Sequence, residues 1–144
     1  MIAYNANLNT TSVRRANSVA FDVRENGRPK TEDGTPWGKK ILDANGEEVR
    51  EPGMLKSVKA IGWMVEEYGI AQVSMNLIAP EITGPMAVYD AVAALAPIDR
   101  AELVGLVPAR VLAEIPRSRW AELDLSNEKT IEWKLAQRNR TLQS

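Results

Sequence analysis

The sequence contains no histidine, no cysteine and only one phenylalanine. Without cysteine there is no disulfide framework, thiol nucleophile or zinc ribbon. Without histidine there is no triad of the Ser-His type, no His-ligated metal and no imidazole acting as acid or base near neutral pH. Chemistry must rest on carboxylates, Lys, Tyr and hydroxyls, or on a second chain. No apolar run approaches the roughly 20 residues that span a bilayer. No signal-peptide pattern precedes the strand-like segment that starts at Ile2. The 18 Lys and Arg nearly balance the 19 Asp and Glu, so bulk charge predicts neither a nucleic-acid nor a membrane partner. What remains is 144 residues with 44% apolar and 26% charged side chains. These values fit one soluble domain, and a cytoplasmic location is compatible with them.

Residues 2–8 place Ile2, Tyr4, Ala6 and Leu8 on one face of a strand, with Ala3, Asn5 and Asn7 on the other. A chain that opens directly into a strand leads us to expect a preceding segment. Thr10, Thr11 or Ser12 caps a helix whose stripe is Val13, Ala16, Val19, Ala20 and Val23. Asn26-Gly27 offers a left-handed stop. Residues 28–54 read as a long loop carrying an inserted hairpin. Its Asn45-Gly46 suits a type I′ turn, and Trp37 is placed to pin the base.

Two β-rich runs follow, 55–65 and 70–78, joined by Glu66-Glu67-Tyr68-Gly69 as an antiparallel hairpin. In the second, Ala71, Val73, Met75 and Leu77 alternate with Gln72, Ser74 and Asn76. Thr83 caps a second helix with Pro85 in its first turn. That helix turns Met86, Val88, Tyr89, Val92 and Leu95 to the core, and Pro97 ends it. Glu102–Val107 predicts a fourth strand. After Pro108 come a short helix at 109–115 and a further helix at about 127–137 that begins at Ser126 and carries Ile131 and Leu135. The end, 141–144, reads as frayed. The order β-α-β-β-α-β predicts an α+β, ferredoxin-like antiparallel sheet with helices on one face. It divides the chain into a subdomain over 1–115 and a helical extension over 116–144.

If helices cover the apolar face, the other face presents Asn5, Asn7, Gln72, Ser74 and Asn76, together with Lys59. Polar alternation is normal on a solvated face. Asn, however, is depleted in strands, and a row of amides suits a ligand rich in carbonyls, amines or carboxylates. Other positions are weaker candidates. Glu66-Glu67 reads as a charged turn and Arg14-Arg15 as a solvated helix face. Gly62 reads as a bulge rather than a point of close ligand approach. Trp63 either stacks on an aromatic ligand or fills a core. No Gly-rich phosphate loop is present.

Four ordered blocks carry a resemblance. They are Ile-Ala-Tyr-Asn-Ala-Asn-Leu-Asn-Thr-Thr (2–11), Leu-Lys-Ser-Val-Lys-Ala-Ile-Gly-Trp (55–63), Ile-Ala-Gln-Val-Ser-Met-Asn-Leu (70–77) and Glu-Leu-Val-Gly-Leu-Val-Pro (102–108). Together they resemble glutamate formimidoyltransferase, in particular its C-terminal subdomain, and Ile131-Glu132-Trp133 is similar to the family's closing helix. The resemblance implies two α/β subdomains with tetrahydrofolate held in a tunnel between them. It also implies formimino transfer between N-formimino-glutamate and tetrahydrofolate, a step of histidine degradation, with no metal. The amide face would line the tunnel, with Lys59 facing the acidic folate tail. The catalytic His of the family belongs to the N-terminal subdomain, which this sequence does not contain, so that subdomain is an expected partner. Asp99-Arg100-Ala101 departs from the family's Gly-Ser before the glutamate, and a shortened fourth strand is expected there.

Two other readings come from different classes. One is a non-catalytic small-molecule-binding or oligomerisation module, such as a homodimer. The other is RNA binding through the open sheet face, which requires exposed aromatics where strands one and three offer amides.

Overall fold

A computed structural model describes residues 1–35 and 37–143. The main sheet has four strands: β1 (Ile2–Leu8), β4 (Val58–Val65), β5 (Ile70–Leu77) and β6 (Ile98–Val104). They are ordered β4-β5-β1-β6, and every neighbouring pair is antiparallel. Helices α1 (Val13–Val23) and α2 (Pro85–Leu95) are inserted after β1 and β5. This is the α+β, ferredoxin-like arrangement, reached because the strands alternate with period two and each crossover helix has one apolar stripe.

Both helices pack on the face formed by Ile2, Tyr4, Ala6, Leu8, Val73, Met75 and Leu77, all buried. From α1 come Ala16, Val19, Ala20 and Val23; from α2 come Val88, Ala91 and Val92. Burying each Val or Leu contributes roughly 1.5–3 kcal/mol. Ser12 caps α1 through its side chain, which accepts from the Arg15 amide. Thr83 does not cap α2: its hydroxyl donates instead to the Lys56 carbonyl at 2.8 Å, and Gly84 occupies the cap position.

Gly62 marks no bulge, because β4 and β5 keep an unbroken register. It lies on the core face, and a Cβ there would meet the Asn17 backbone nitrogen at 2.3 Å and the Ala16 carbonyl carbon at 2.4 Å. Glycine lets α1 rest directly on the strand. The outer edge of β4 is closed by the same helix and the turn after it. The Gly62 amide donates to Asn17 Oδ1 at 2.9 Å, Glu25 N–H donates to the Val58 carbonyl, and Arg24 donates to the Ala60 carbonyl.

Other local readings are corrected. The first helix stops at Val23, ahead of Asn26-Gly27, with Arg24 extended. The first hairpin strand starts at Val58 rather than at residue 55, because Ser57 sits in a left-handed turn with φ 59. The fourth strand spans Ile98–Val104 and is seven residues long, so Asp99-Arg100-Ala101 lies inside it and does not shorten it. It ends before Gly105, whose φ is 88.

The 28–54 segment is a ribbon. Its strands β2 (Arg28–Pro29) and β3 (Arg50–Glu51) pair, and isolated bridges join Thr31 to Lys40 and Leu42 to Glu48. The hairpin tip has left-handed Gly46 (φ 78), but Asn45 does not share that conformation, so the turn is not type I′. Asp43 closes it by accepting from the Asn45 and Glu47 amides. Trp37 is not packed into the base: it is 71% exposed.

After β6, α3 (Ala109–Ala113) and the following turns return Leu123 and Leu125 to the core. The buried Tyr4 hydroxyl donates to the Leu123 carbonyl at 2.8 Å. Asp124 (φ 59) accepts from the Leu103 amide and from Lys129. Helix α4 (Ile131–Gln143) continues through the segment expected to fray, while Ser144 lies outside the described residues. Among the described residues no helix is long and apolar enough to cross a membrane.

Candidate binding face

Alternation places the other side of each strand on a face that no helix covers. Antiparallel register organises that face into three transverse rows. Trp63, Gln72, Asn7 and Arg100 form one; Ile61, Ser74, Asn5 and Glu102 form the next; Lys59, Asn76, Ala3 and Val104 form the third. Successive rows are about 7 Å apart, two residues along a strand. The structure thus brings all six sequence-predicted residues together on β1, β4 and β5.

The six divide into two groups. Asn7 and Gln72 are 0% and 2% exposed and are committed to a chain of hydrogen bonds running across all four strands. The Trp63 indole donates to Gln72 Oε1 at 2.7 Å, and Gln72 Nε2 donates to Asn7 Oδ1 at 2.6 Å. Asn7 Nδ2 then donates to Glu102 Oε1 at 3.0 Å, and the same oxygen receives Arg100 at 3.2 Å. The Arg100 guanidinium also lies 4.9 Å from the centroid of Tyr68, in the β4–β5 turn. Arg100 thus stands beside Asn7 in the first row and also reaches the turn at the end of β4 and β5. Buried amides without partners would be costly; these are fully paired.

The second group is uncommitted. Asn5 and Ser74 are half-buried neighbours, and Lys59 and Asn76 are exposed neighbours. None of the four side chains has a hydrogen-bond partner among the described residues. They offer amide, hydroxyl and ammonium groups beside an exposed apolar border of Ile61 (57%), Trp63 (49%) and Val104 (51%). Hydrogen-bonding groups and exposed apolar side chains thus stand side by side on this face.

Trp63 does not fill a core. Glu102, Arg100 and Tyr68 were not singled out from sequence as site residues. The signal for the first two was register: a strand begun at Ile98 sets Glu102 opposite Asn5 and Arg100 opposite Asn7. No group of three or more Asp or Glu among the described residues is arranged to hold a metal.

Residues 3–122 match the model of the formiminotransferase domain family. The chain is 35% identical over 119 residues to the formimidoyltransferase-cyclodeaminase of Sus scrofa, which covers 79% of this chain and 18% of that protein. It is 36% identical over 134 residues to the Gallus gallus protein of the same name, covering 90% and 20%. The Dictyostelium discoideum protein is 37% identical over 117 residues, covering 78% and 18%. The chain thus spans about a fifth of the length of these relatives.

Proposed function

Since this chain belongs to the formiminotransferase domain family, we propose that its open sheet face holds tetrahydrofolate against an N-terminal subdomain, for formimino transfer from or to N-formimino-glutamate. The supporting observation is the division of the face. Asn7 and Gln72 are locked into a cross-strand chain that fixes the surface, and Asn5, Ser74, Asn76 and Lys59 stay free beside it. Free amides suit the donor and acceptor edge of a pterin. Lys59 suits the carboxylates of the glutamyl tail. The apolar border of Ile61, Trp63 and Val104 suits a packed partner subdomain, and it also keeps water from the ligand.

The role of this chain is positioning. In the transfer, a base takes the proton from the folate amine nitrogen, which attacks the formimino carbon. The bond from that carbon to the glutamate nitrogen then breaks, and the proton is returned to the departing amine. The chain has no His, and in this reading the base is the His that the family resemblance assigns to the partner subdomain. Holding two reactants in register can by itself supply several kcal/mol of the barrier reduction, up to about 10.

Calorimetric titration with tetrahydrofolate tests the reading. Asn5→Ala and Asn76→Ala are each expected to weaken binding at least fivefold, and unchanged affinity in both removes the face as the site. The purified chain alone is expected to show no formimino transfer. Turnover above background would place the catalytic base within these 144 residues and overturn the division of labour. The exposed border also bears on the oligomerisation reading, in which a second copy covers it. Sedimentation distinguishes the two, because a dimer whose formation is blocked by Trp63→Ser favours self-association.

A further inference from the structure

On the other side of the molecule, α1 and the 28–54 ribbon border an open cleft of about 630 Å³. Its volume falls in the range of small-molecule sites. It shares no residue with the open sheet face and does not depend on the reading of that face.

The lining is unusual in charge. Arg14, Arg15 and Arg28 all contribute, and no carboxylate does. Arg28 is fixed by Asp22 at 2.6 Å and by the Ser18 carbonyl at 3.0 Å, both through Nη2. Its Nε and Nη1 take no partner among the described residues. Arg15 reaches the Leu95 carbonyl at 3.3 Å, which holds it at the wall. Arg14 makes no ion pair among the described residues. Its guanidinium lies 5.5 Å from the centroid of Trp37, the exposed indole that is not packed into the base of the ribbon. The cleft therefore sets three arginines, of which Arg14 has no ion pair among the described residues, beside an exposed aromatic ring. A guanidinium presents a fork that matches phosphate. A flat ring on Trp37 adds stacking that inorganic phosphate cannot obtain.

We propose that this cleft binds a mononucleotide, with its base on Trp37 and its phosphate on Arg14 and Arg28. Titration calorimetry of the full chain with adenosine 5′-monophosphate, adenosine and inorganic phosphate tests it. The monophosphate is expected to bind at least tenfold more tightly than either fragment. Arg14→Glu and Trp37→Ala each replace an exposed side chain, so the fold is expected to survive, as circular dichroism would verify. Each is expected to weaken the monophosphate at least tenfold. Lys134→Glu makes the same charge change on α4 and is expected to leave affinity unchanged. Absence of binding at millimolar monophosphate overturns the proposal. So does phosphate binding as tightly as the nucleotide, or Lys134→Glu weakening binding as much as Arg14→Glu.

Discussion

On the core face of β4, Val58, Ala60 and Gly62 lie under α1; on the opposite face, Lys59, Ile61 and Trp63 stand clear of any helix. The residues alternate along one strand, yet the faces are stabilised by different means. The core face relies on close packing, in which backbone approaches backbone. The open face relies on a directional hydrogen-bond chain with apolar groups left at its border. Close packing tolerates no added atom, whereas the directional face tolerates changes wherever a side chain is uncommitted. The contrast separates what holds this molecule together from what it has available to bind.

The largest expected break is Gly62→Ala. Its new Cβ would strike the α1 backbone, and the helix must lift. We expect a loss of about 3 kcal/mol, read as a lower urea midpoint. The adjacent open-face change Ile61→Ala is expected to cost less than about 1 kcal/mol. Equal losses would erase the distinction between the faces.

Asn7→Ala is expected to cost about 2 kcal/mol, since Gln72 Nε2 loses its acceptor in a buried setting. Asn5→Ala, one row away, should stay within about 0.5 kcal/mol. A large stability loss at Asn5 would show that it is committed too.

Tyr4→Phe removes the donor to the Leu123 carbonyl and is expected to cost about 1 kcal/mol at neutral pH. Burial, with the nearby Asp124 carboxylate second, holds the Tyr4 phenol well above its ordinary value near 10. The folded state therefore keeps this proton after the unfolded chain has begun to lose it. The stability tied to Tyr4 is complete below pH 10 and declines as pH rises beyond it. Alkaline denaturation of the Phe variant should lack part of that decline; parallel curves would count against the burial account.

The smallest stability effect is expected at Lys59→Ala, within about 0.5 kcal/mol. The same change should nonetheless weaken tetrahydrofolate measurably. A variant that changes neither property would remove Lys59 from the ligand-facing group.

Much of this contrast was legible in the sequence. Ile2-Ala-Tyr-Asn-Ala-Asn-Leu8 and Ala71 to Leu77 alternate strictly, which located both strands, both faces and the amide row. The fourth strand was harder to bound. In Ile-Asp-Arg-Ala-Glu-Leu-Val only Ala101 is buried, so periodicity was weak and the strand start was missed by four residues. That shift left Arg100 outside the expected strand. The burial of Asn7 and Gln72 was also hidden, because their partners, Trp63 and Glu102, are brought beside them only by strand register. Thr83 carried the composition of a cap, but its hydroxyl was taken by the non-local Lys56 carbonyl. Asn45-Gly46 favoured a common turn, and Asp43 stabilised a different one. Local pattern fixed the elements, and contacts between distant segments decided which polar groups were left free.

The protection of β4 by α1 has a counterpart at the far edge. There Asp124 takes the Leu103 amide, and Asp99 and Arg100 put exposed charge along β6. Exposed strand edges invite other chains to add to a sheet, and charge or coverage discourages it. With both margins guarded, the sheet is a finished width of four strands. A second copy, or any other chain, therefore finds no free strand edge among the described residues on which to extend the sheet.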